Sequence, residues 1–172
     1  MYKYNPYLQE FKYNHYIDEF QWHFPTEDDR EWLEEALVGQ EYYSASDAIT
    51  FAAESDPTAN IVYRSQIVST QANNERVLWA FHVVNKSAKV MTLEGIATHP
   101  SYRGQRITKR VMKESIAWAK IHNPFDINSI MAGIKPEEEY FSSSNILAGE
   151  GHTIIKSEGN IDGFIMRDVM IK

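Results

Sequence analysis

The feature that most constrains the fold is a change of hydrophobic period near residue 60. The stretches 61–70, 76–84 and 89–98 are rich in β-branched and aromatic residues, and short polar connections separate them. Apolar residues then recur at helical spacing between Ile107 and Ala119. The chain therefore predicts a three-stranded antiparallel meander that is followed by an amphipathic helix.

Helical patterns precede the meander, and further strands follow the long helix. Thr26 and Asp29 form a helix N-terminal signature before an apolar face that ends at Gly39. A second helix is expected from about Ser46 to Ala52. Later strands are expected at 127–134, 152–157 and 164–171, with a short helix over 136–147. Together these elements predict an α+β fold in which helices flank a mixed, mostly antiparallel sheet.

The N-terminal segment differs from the rest of the chain in its aromatic content. Nine of the first 24 residues are Tyr, Phe or Trp, and they follow neither a strand nor a helix period. Residues 1–25 are interpreted as an aromatic arm that packs over the body, covers a substrate or docks a protein partner. Residues 26–172 are then expected to form a single domain.

Composition excludes several classes of site. The chain has no cysteine, so it lacks disulfides, thiolate nucleophiles and cysteine-bound zinc, which suits a cytoplasmic protein. Its histidines lack metal-ligand spacing, so no metal site is predicted. No apolar run approaches the roughly 18 residues of a membrane span. Because 24 acidic residues outnumber 17 basic ones, an amine-bearing partner is favoured over nucleic acid.

The link between the third strand and the long helix is a basic, glycine-containing turn. Its residues run from Pro100 through Arg103 and Gly104 to Arg106. A turn that opens a helix presents unpaired backbone N–H groups and the positive end of the helix dipole. With the cations of Arg103, Arg106, Lys109 and Arg110 beside it, the turn is expected to bind an anion such as a pyrophosphate.

This turn and the order of elements resemble the Gcn5-related N-acetyltransferase (GNAT) superfamily. Its signature reads Arg or Gln, two residues, Gly, one residue, then Gly or Ala, and the segment Ile96–Gly104 is similar to the strand end that precedes it. The resemblance covers roughly residues 26–171. It implies a GNAT-like sheet and the transfer of an acyl group, usually acetyl, from acetyl-coenzyme A to a primary amine of a small molecule or a protein.

The resemblance also implies which residues hold the acyl donor. The pantetheine arm is expected along the splayed third strand of the meander, and the pyrophosphate is expected on the turn. The residues implied are Ile96, Ala97, Thr98, Arg103, Gly104, Gln105, Arg106, Ile107, Thr108, Lys109 and Asn145.

Two catalytic roles follow from the same resemblance. Glu94, two residues before Ile96, is the expected general base, with His99 and His82 as alternatives. Family members often carry a tyrosine on the last short helix that protonates the leaving thiolate. Leu147 stands at the usual position, so Tyr140 is the candidate, and protonation by solvent is the alternative.

The turn departs from the family signature at two small positions. Arg106 and Thr108 replace the expected Gly and the expected Gly or Ala. Arg106 either adds a guanidinium to the phosphate site or crowds the cleft. The second reading leads to an alternative function, a catalytically degenerate structural or docking protein of a virion or regulatory complex. A homodimer and, less favoured, a nucleic-acid patch on the four cations remain further alternatives.

Overall fold

The fold is built on one mixed seven-stranded sheet. The computed structural model describes residues 19–134, 154–161 and 164–172. The strands follow the order β1-β2-β3-β4-β5-β7-β6, and every adjacent pair is antiparallel except the parallel pair β4–β5. The strands are β1 (Phe20–His23), β2 (Ile61–Thr70), β3 (Arg76–Asn85), β4 (Val90–Thr98), β5 (Ser129–Ile134), β6 (Ile154–Ile161) and β7 (Phe164–Met170). The predicted fold class is confirmed.

Three α-helices of the described residues match the predicted ones. They are α1 (Arg30–Ala36), α2 (Ala45–Ala53) and α3 (Ile107–His122). A 3-10 turn, Glu27–Asp29, precedes α1, and the capping box between Thr26 and Asp29 is formed. A second capping box, in which Asp47 N donates to Ser44 Oγ, begins α2. The short helix predicted over 136–147 lies outside the described residues.

The helices cover opposite faces of the sheet. On the α1/α2 face, those two helices enclose a cluster of Leu33, Leu37, Ala45, Ala48, Ile67, Trp79, Phe81 and Ala97. On the α3 face, the long helix packs against the sheet through Ile107, Val111, Met112, Ile116 and Ala119. Both clusters are almost completely buried. Strand β4, in the middle of the sheet, is thus fixed from both sides.

The sequence pattern did not predict strand β1. Phe20 to His23 pair with Thr70 to Ile67 of β2 and form one end of the sheet's strand order. Phe20 has no exposed surface and packs on the α3 face. These residues belong to the segment interpreted as an aromatic arm, whose residues 1–18 lie outside the described ranges. Phe20 and Trp22, two aromatic residues of that segment, are therefore part of the sheet.

No helix in the described part of the chain combines the length and the apolar character needed to cross a membrane.

Candidate active site

The pairing of β4 with β5 ends part-way along β4. Val90–Leu93 pair with Ser129–Ala132, and no residue of β4 pairs with Gly133 or Ile134, although β5 pairs with β7 along its whole length. Among the described strands, none pairs with the β5-facing edge of residues 94–98. Backbone N–H and C=O groups on an unpaired edge are available to an extended ligand. The predicted pantetheine-binding residues Ile96, Ala97 and Thr98 all lie on this segment.

A β-bulge in β4 lies where the two strands part. Phe81 of β3 pairs with Gly95 and His82 pairs with Leu93, so Glu94 is the extra residue. Leu93 and Ile96 both pack on the α3 face, although strict alternation would place residues three apart on opposite faces. Glu94 and Gly95 therefore share the α1/α2 face.

Glu94 is exposed at this bulge, although nearby protein atoms partly desolvate its carboxyl. Burial raises the pKa of the Glu94 carboxyl. The ring of Tyr43, in the link between α1 and α2, lies close by, and the pKa of Tyr43 is raised first by burial and then by the negative charges of Glu94 and Asp47. A carboxylate whose pKa is raised is a stronger base than an ordinary glutamate.

The turn after β4 contains two residues with left-handed backbone. Gly104 has a φ of +81° and Arg106 a φ of +58°, so both lie in the left-handed region. Arg106 is the N-cap residue of α3, and its side chain does not cap the helix. A Cβ added at Gly104 would meet nothing within 4 Å, so this glycine serves backbone conformation and not close packing.

The four cations of the turn have different partners. Arg103 Nε donates to the carbonyl of Thr98 at 3.0 Å, which folds its guanidinium against the end of β4. Arg110 pairs with Glu19 at 2.5 Å and lies over the ring of Phe20. The exposed side chains of Arg106 and Lys109 have no ion-pair or hydrogen-bond partner within the described ranges. These two cations are the ones left for a phosphate.

Thr108 has a role that the family signature does not suggest. Its Oγ1 lies 2.9 Å from Oγ1 of Thr98, a hydrogen bond that ties the first turn of α3 to the end of β4. The other predicted members of the turn differ in exposure: Ile107 is buried in the α3-face core, whereas Gln105 is exposed and donates to the carbonyl of Ser101. The bond fixes the distance between the open strand edge and the helix start.

Neither histidine offered as an alternative base is free for that role. Ser101 N donates to Nδ1 of His99, and Nε2 of His99 pairs with Glu35 at 2.8 Å, so both ring nitrogens are engaged. The ring also stacks on Trp32, with centroids 5.5 Å apart. His82 is buried on the α3 face, and its burial lowers its pKa to about 3. Glu94 is the better placed base.

Negative charge is concentrated on the side of the sheet that carries Glu94. Residues 27–47, which include α1 and the start of α2, hold eight acidic residues and one basic residue. Their difference equals the formal charge of the whole chain, −7. The basic turn lies at the start of α3, which covers the opposite face. The site is therefore acidic on the α1/α2 face and basic at the turn.

Sequence reasoning missed Tyr43, Gly95 and the bulge itself. The one available signal was a glycine inside a strand pattern, which often marks a bulge or a close approach. Tyr140 and Asn145, which were predicted as an acid and a pantetheine ligand, lie outside the described residues. Among the described residues, no group of three or more His, Asp or Glu side chains could hold a metal ion.

Comparison with known proteins identifies a family. Residues 10–139, well over half of the chain, match the model of the family described as "Acetyltransferase (GNAT) family". No curated protein matches the chain as a relative.

Several solved structures share the fold. The ribosomal-protein-S18-alanine N-acetyltransferase of Escherichia coli aligns with a TM-score of 0.57 at 15% identity, over 88% of this chain and 94% of that chain. An acetyltransferase (GNAT family) of Bacillus anthracis gives 0.60 at 12%, over 89% and 93%. A mutant of the spermidine N-acetyltransferase SpeG of Vibrio cholerae gives 0.57 at 11%, over 88% and 92%. At these identities the likeness is one of fold.

Proposed function

The chain belongs to the GNAT acetyltransferase family, and we propose that it transfers an acetyl group from acetyl-coenzyme A to a primary amine of a cationic acceptor. The observation that carries this proposal is the open edge of β4 beyond Leu93, with Glu94 at one end and the anion-binding turn at the other. The family match supports N-acetyl transfer in general.

The residues present suit a coenzyme A thioester. The unpaired edge of Ile96–Thr98 would bind the amides of the pantetheine arm, and the turn from Arg103 to Lys109 would hold the pyrophosphate. Gly104 leaves open space beside the backbone, and Arg106 and Lys109 supply charge. When bound, the thioester supplies an activated acetyl group.

Glu94 is proposed to accept the proton that the acceptor amine must lose. An ammonium cannot attack a carbonyl carbon until it is deprotonated, directly or through a water. The raised pKa of Glu94 makes the carboxylate a better proton acceptor. Tyr140 remains the proposed donor to the leaving thiolate, and solvent is the alternative donor.

The acceptor is proposed to be a cation because of the charge around Glu94. Glu35, Asp47 and Glu94 all belong to the acidic α1/α2 face, and acidic walls attract and orient cationic substrates. Spermidine, which the Vibrio cholerae neighbour is named for, is a small acceptor of this type. The Escherichia coli neighbour is named for an alanine of ribosomal protein S18, so we also propose a peptide that begins with alanine as a candidate acceptor.

An acceptor screen tests this function. Purified protein is incubated with acetyl-coenzyme A and spermidine, a lysine-rich peptide, an alanine-terminated peptide or a neutral amine, and free coenzyme A and acetylated product are measured. We expect turnover with a cationic amine and at least tenfold less with the neutral amine. Glu94→Gln is the matched control, because it keeps the size of the side chain but cannot accept the proton.

A docking or structural role is the second candidate. Its specific support is Arg106 in a left-handed position that the family signature gives to glycine. Under this hypothesis the cleft binds no acyl-coenzyme A, and the aromatic segment 1–25 contacts a protein partner or a second copy of the chain. A folded protein that binds no acetyl-coenzyme A and acetylates no amine would favour this candidate.

A further inference from the structure

Gly95 is the point at which the bulge touches the core of the α1/α2 face. A Cβ at this position would lie 3.0 Å from Cζ3 of Trp79 and 3.1 Å from Cδ2 of Tyr43. Its φ is not in the left-handed region, so conformation alone does not require glycine here. The bare face of Gly95 is needed because two aromatic rings pack directly upon it.

The ring of Tyr43 is held there by a rigid frame. Its centroid lies 5.6 Å from that of Trp79 and 5.5 Å from that of Phe81, and the Phe81 contact is edge-on at 83°. Trp79 is completely buried, and its Nε1 donates to Oγ of Ser65 at 2.8 Å. Oγ of Ser65 in turn donates to the carbonyl of Ala48 in α2. The frame therefore connects α2 to the sheet.

Tyr43 lies directly before the N-cap residue of α2. Ser44 is the N-cap of α2, and its backbone N–H and hydroxyl both donate to Oδ2 of Asp47, at 2.8 and 3.0 Å. This capping box fixes the direction in which the chain enters the helix. The start of α2 therefore fixes the backbone beside Tyr43, and Trp79 and Phe81 fix its ring.

We propose that Tyr43 is a positioning residue for Glu94: its ring, seated on Gly95 and held by Trp79 and Phe81, locks the bulge and excludes water from one side of the Glu94 carboxylate. This inference rests on the proposed function, in which Glu94 accepts the proton of the acceptor amine. Tyr43 itself acts through Glu94 and is not the base.

The electrostatics of the pair agree with this arrangement. Burial raises the pKa of Glu94, and the pKa of Tyr43 is raised by burial and by the charges of Glu94 and Asp47. A phenol with a raised pKa stays protonated at neutral pH, so it can donate a hydrogen bond but cannot take a proton. The ring, more than the hydroxyl, is what withdraws Glu94 from water.

A titration of Glu94 tests the proposal without any assay of activity. The carboxyl carbon of Glu94 is followed by NMR in protein labelled at glutamate, with Glu94→Gln used to assign the signal. Tyr43→Phe keeps the ring and Tyr43→Ala removes it. Tyr63→Ala is the matched control, because Tyr63 is also half-buried and packs on Phe51 and Phe81 but is not among the nearest neighbours of Gly95.

We expect Glu94 to titrate above the ordinary glutamate range in the parent, in Tyr43→Phe and in Tyr63→Ala. In Tyr43→Ala its pKa should fall back towards the ordinary value. An unchanged Glu94 pKa in Tyr43→Ala, or an equal fall in Tyr63→Ala, would overturn the proposal. A fall of the Glu94 pKa in Tyr43→Phe, which keeps the ring, would also overturn the proposal, and this outcome can be measured even if the alanine variant does not fold.

Kinetics separate this inference from the proposed function. If the parent acetylates an amine, Tyr43→Ala should lower kcat about tenfold or more and move the acidic limb of its pH profile to lower pH, with unchanged binding of acetyl-coenzyme A. Tyr43→Phe should recover most of the activity. If the parent acetylates nothing while Glu94 still titrates as expected, the positioning role stands and the catalytic function fails.

Discussion

The two sides of the candidate cleft are built in opposite ways. The candidate anion-binding turn is made by neighbours in sequence and is exposed, and Gly104 allows its left-handed backbone. The bulge is made by distant residues and is closely packed, and Gly95 is needed there for its lack of a side chain. A candidate binding loop can therefore be proposed from local sequence, whereas the surroundings of a candidate base depend on tertiary packing.

The largest effect is expected at the bulge itself. Glu94→Gln should lower kcat/KM by about 10²- to 10⁴-fold, the usual contribution of a general base, because the amide cannot accept a proton. Binding of acetyl-coenzyme A, measured by calorimetry, should not change. In the parent, activity should fall as the pH drops through the raised Glu94 pKa, since the protonated carboxyl cannot act as a base.

An equal loss of acetyl-coenzyme A binding in Glu94→Gln would contradict the separation of the two sides. It would mean that Glu94 holds the donor, or that the bulge and the turn change conformation together.

The two glycines provide a direct test of the comparison. Gly95→Ala should lower the free energy of unfolding by about 1–3 kcal/mol, because Trp79 cannot move away from the new methyl group. Gly104→Ala should lower it by about 1 kcal/mol through backbone strain alone. Urea denaturation measures both values. A larger loss of stability in Gly104→Ala than in Gly95→Ala would contradict the view that lack of space requires glycine at position 95 and backbone conformation favours it at position 104.

His82 lies at the same bulge on the α3 face, and its burial should make the stability of the protein depend on pH. Its folded pKa, about 3, lies below the unfolded value of 6.5, so the unfolded state takes up a proton first as the pH falls below 6.5. The parent should therefore lose about 2 kcal/mol of stability between pH 7 and pH 5 relative to His82→Gln. Urea denaturation of both proteins at the two pH values measures this difference.

The same variant distinguishes Glu94 from His82 as the candidate base. His82→Gln should keep the parent's pH profile of turnover, whereas a base role for His82 would remove its titration from that profile. A parent whose stability is as flat between pH 7 and pH 5 as that of the variant would contradict the buried, neutral histidine.

The smallest effect concerns the bond between the turn and the strand. Thr98→Val and Thr108→Val each remove one hydroxyl of the pair. A double-mutant cycle should give a coupling energy of about 1 kcal/mol, since each single variant loses the same hydrogen bond. Additive losses in urea denaturation would show that the two hydroxyls do not interact in solution.

The elements that sequence predicted are those with a local signal. The capping pattern at Thr26, the strand periods between residues 61 and 98 and the helix after Arg106 are all present. Strand β1 escaped prediction because its alternation of aromatic and polar residues is only four residues long. It lies in an aromatic-rich segment that as a whole follows neither a strand nor a helix period. Its pairing with β2 joins residues that are far apart in sequence, so no local pattern predicts it.

The candidate site divides in the same way. Arg103, Gly104 and Arg106 could be found from the spacing of the turn, but Tyr43 is 51 residues away from Glu94 along the chain. The bulge also could not be placed, because the alternation of Leu93, Glu94 and Gly95 looks like that of an ordinary strand. It becomes visible only when both Leu93 and Ile96 are seen on the α3 face.

Calorimetric titration of the parent with acetyl-coenzyme A decides whether the turn binds the acyl donor. We expect binding with a Kd on the order of micromolar, weakened about tenfold in Arg106→Ala by the loss of one charged phosphate contact. Arg106→Gly also removes the strain of a left-handed backbone at position 106. Its affinity for acetyl-coenzyme A should be at most a few-fold higher than that of the alanine variant. No binding by the folded parent, with binding recovered in Arg106→Gly, would contradict the claim and mean that Arg106 closes the cleft.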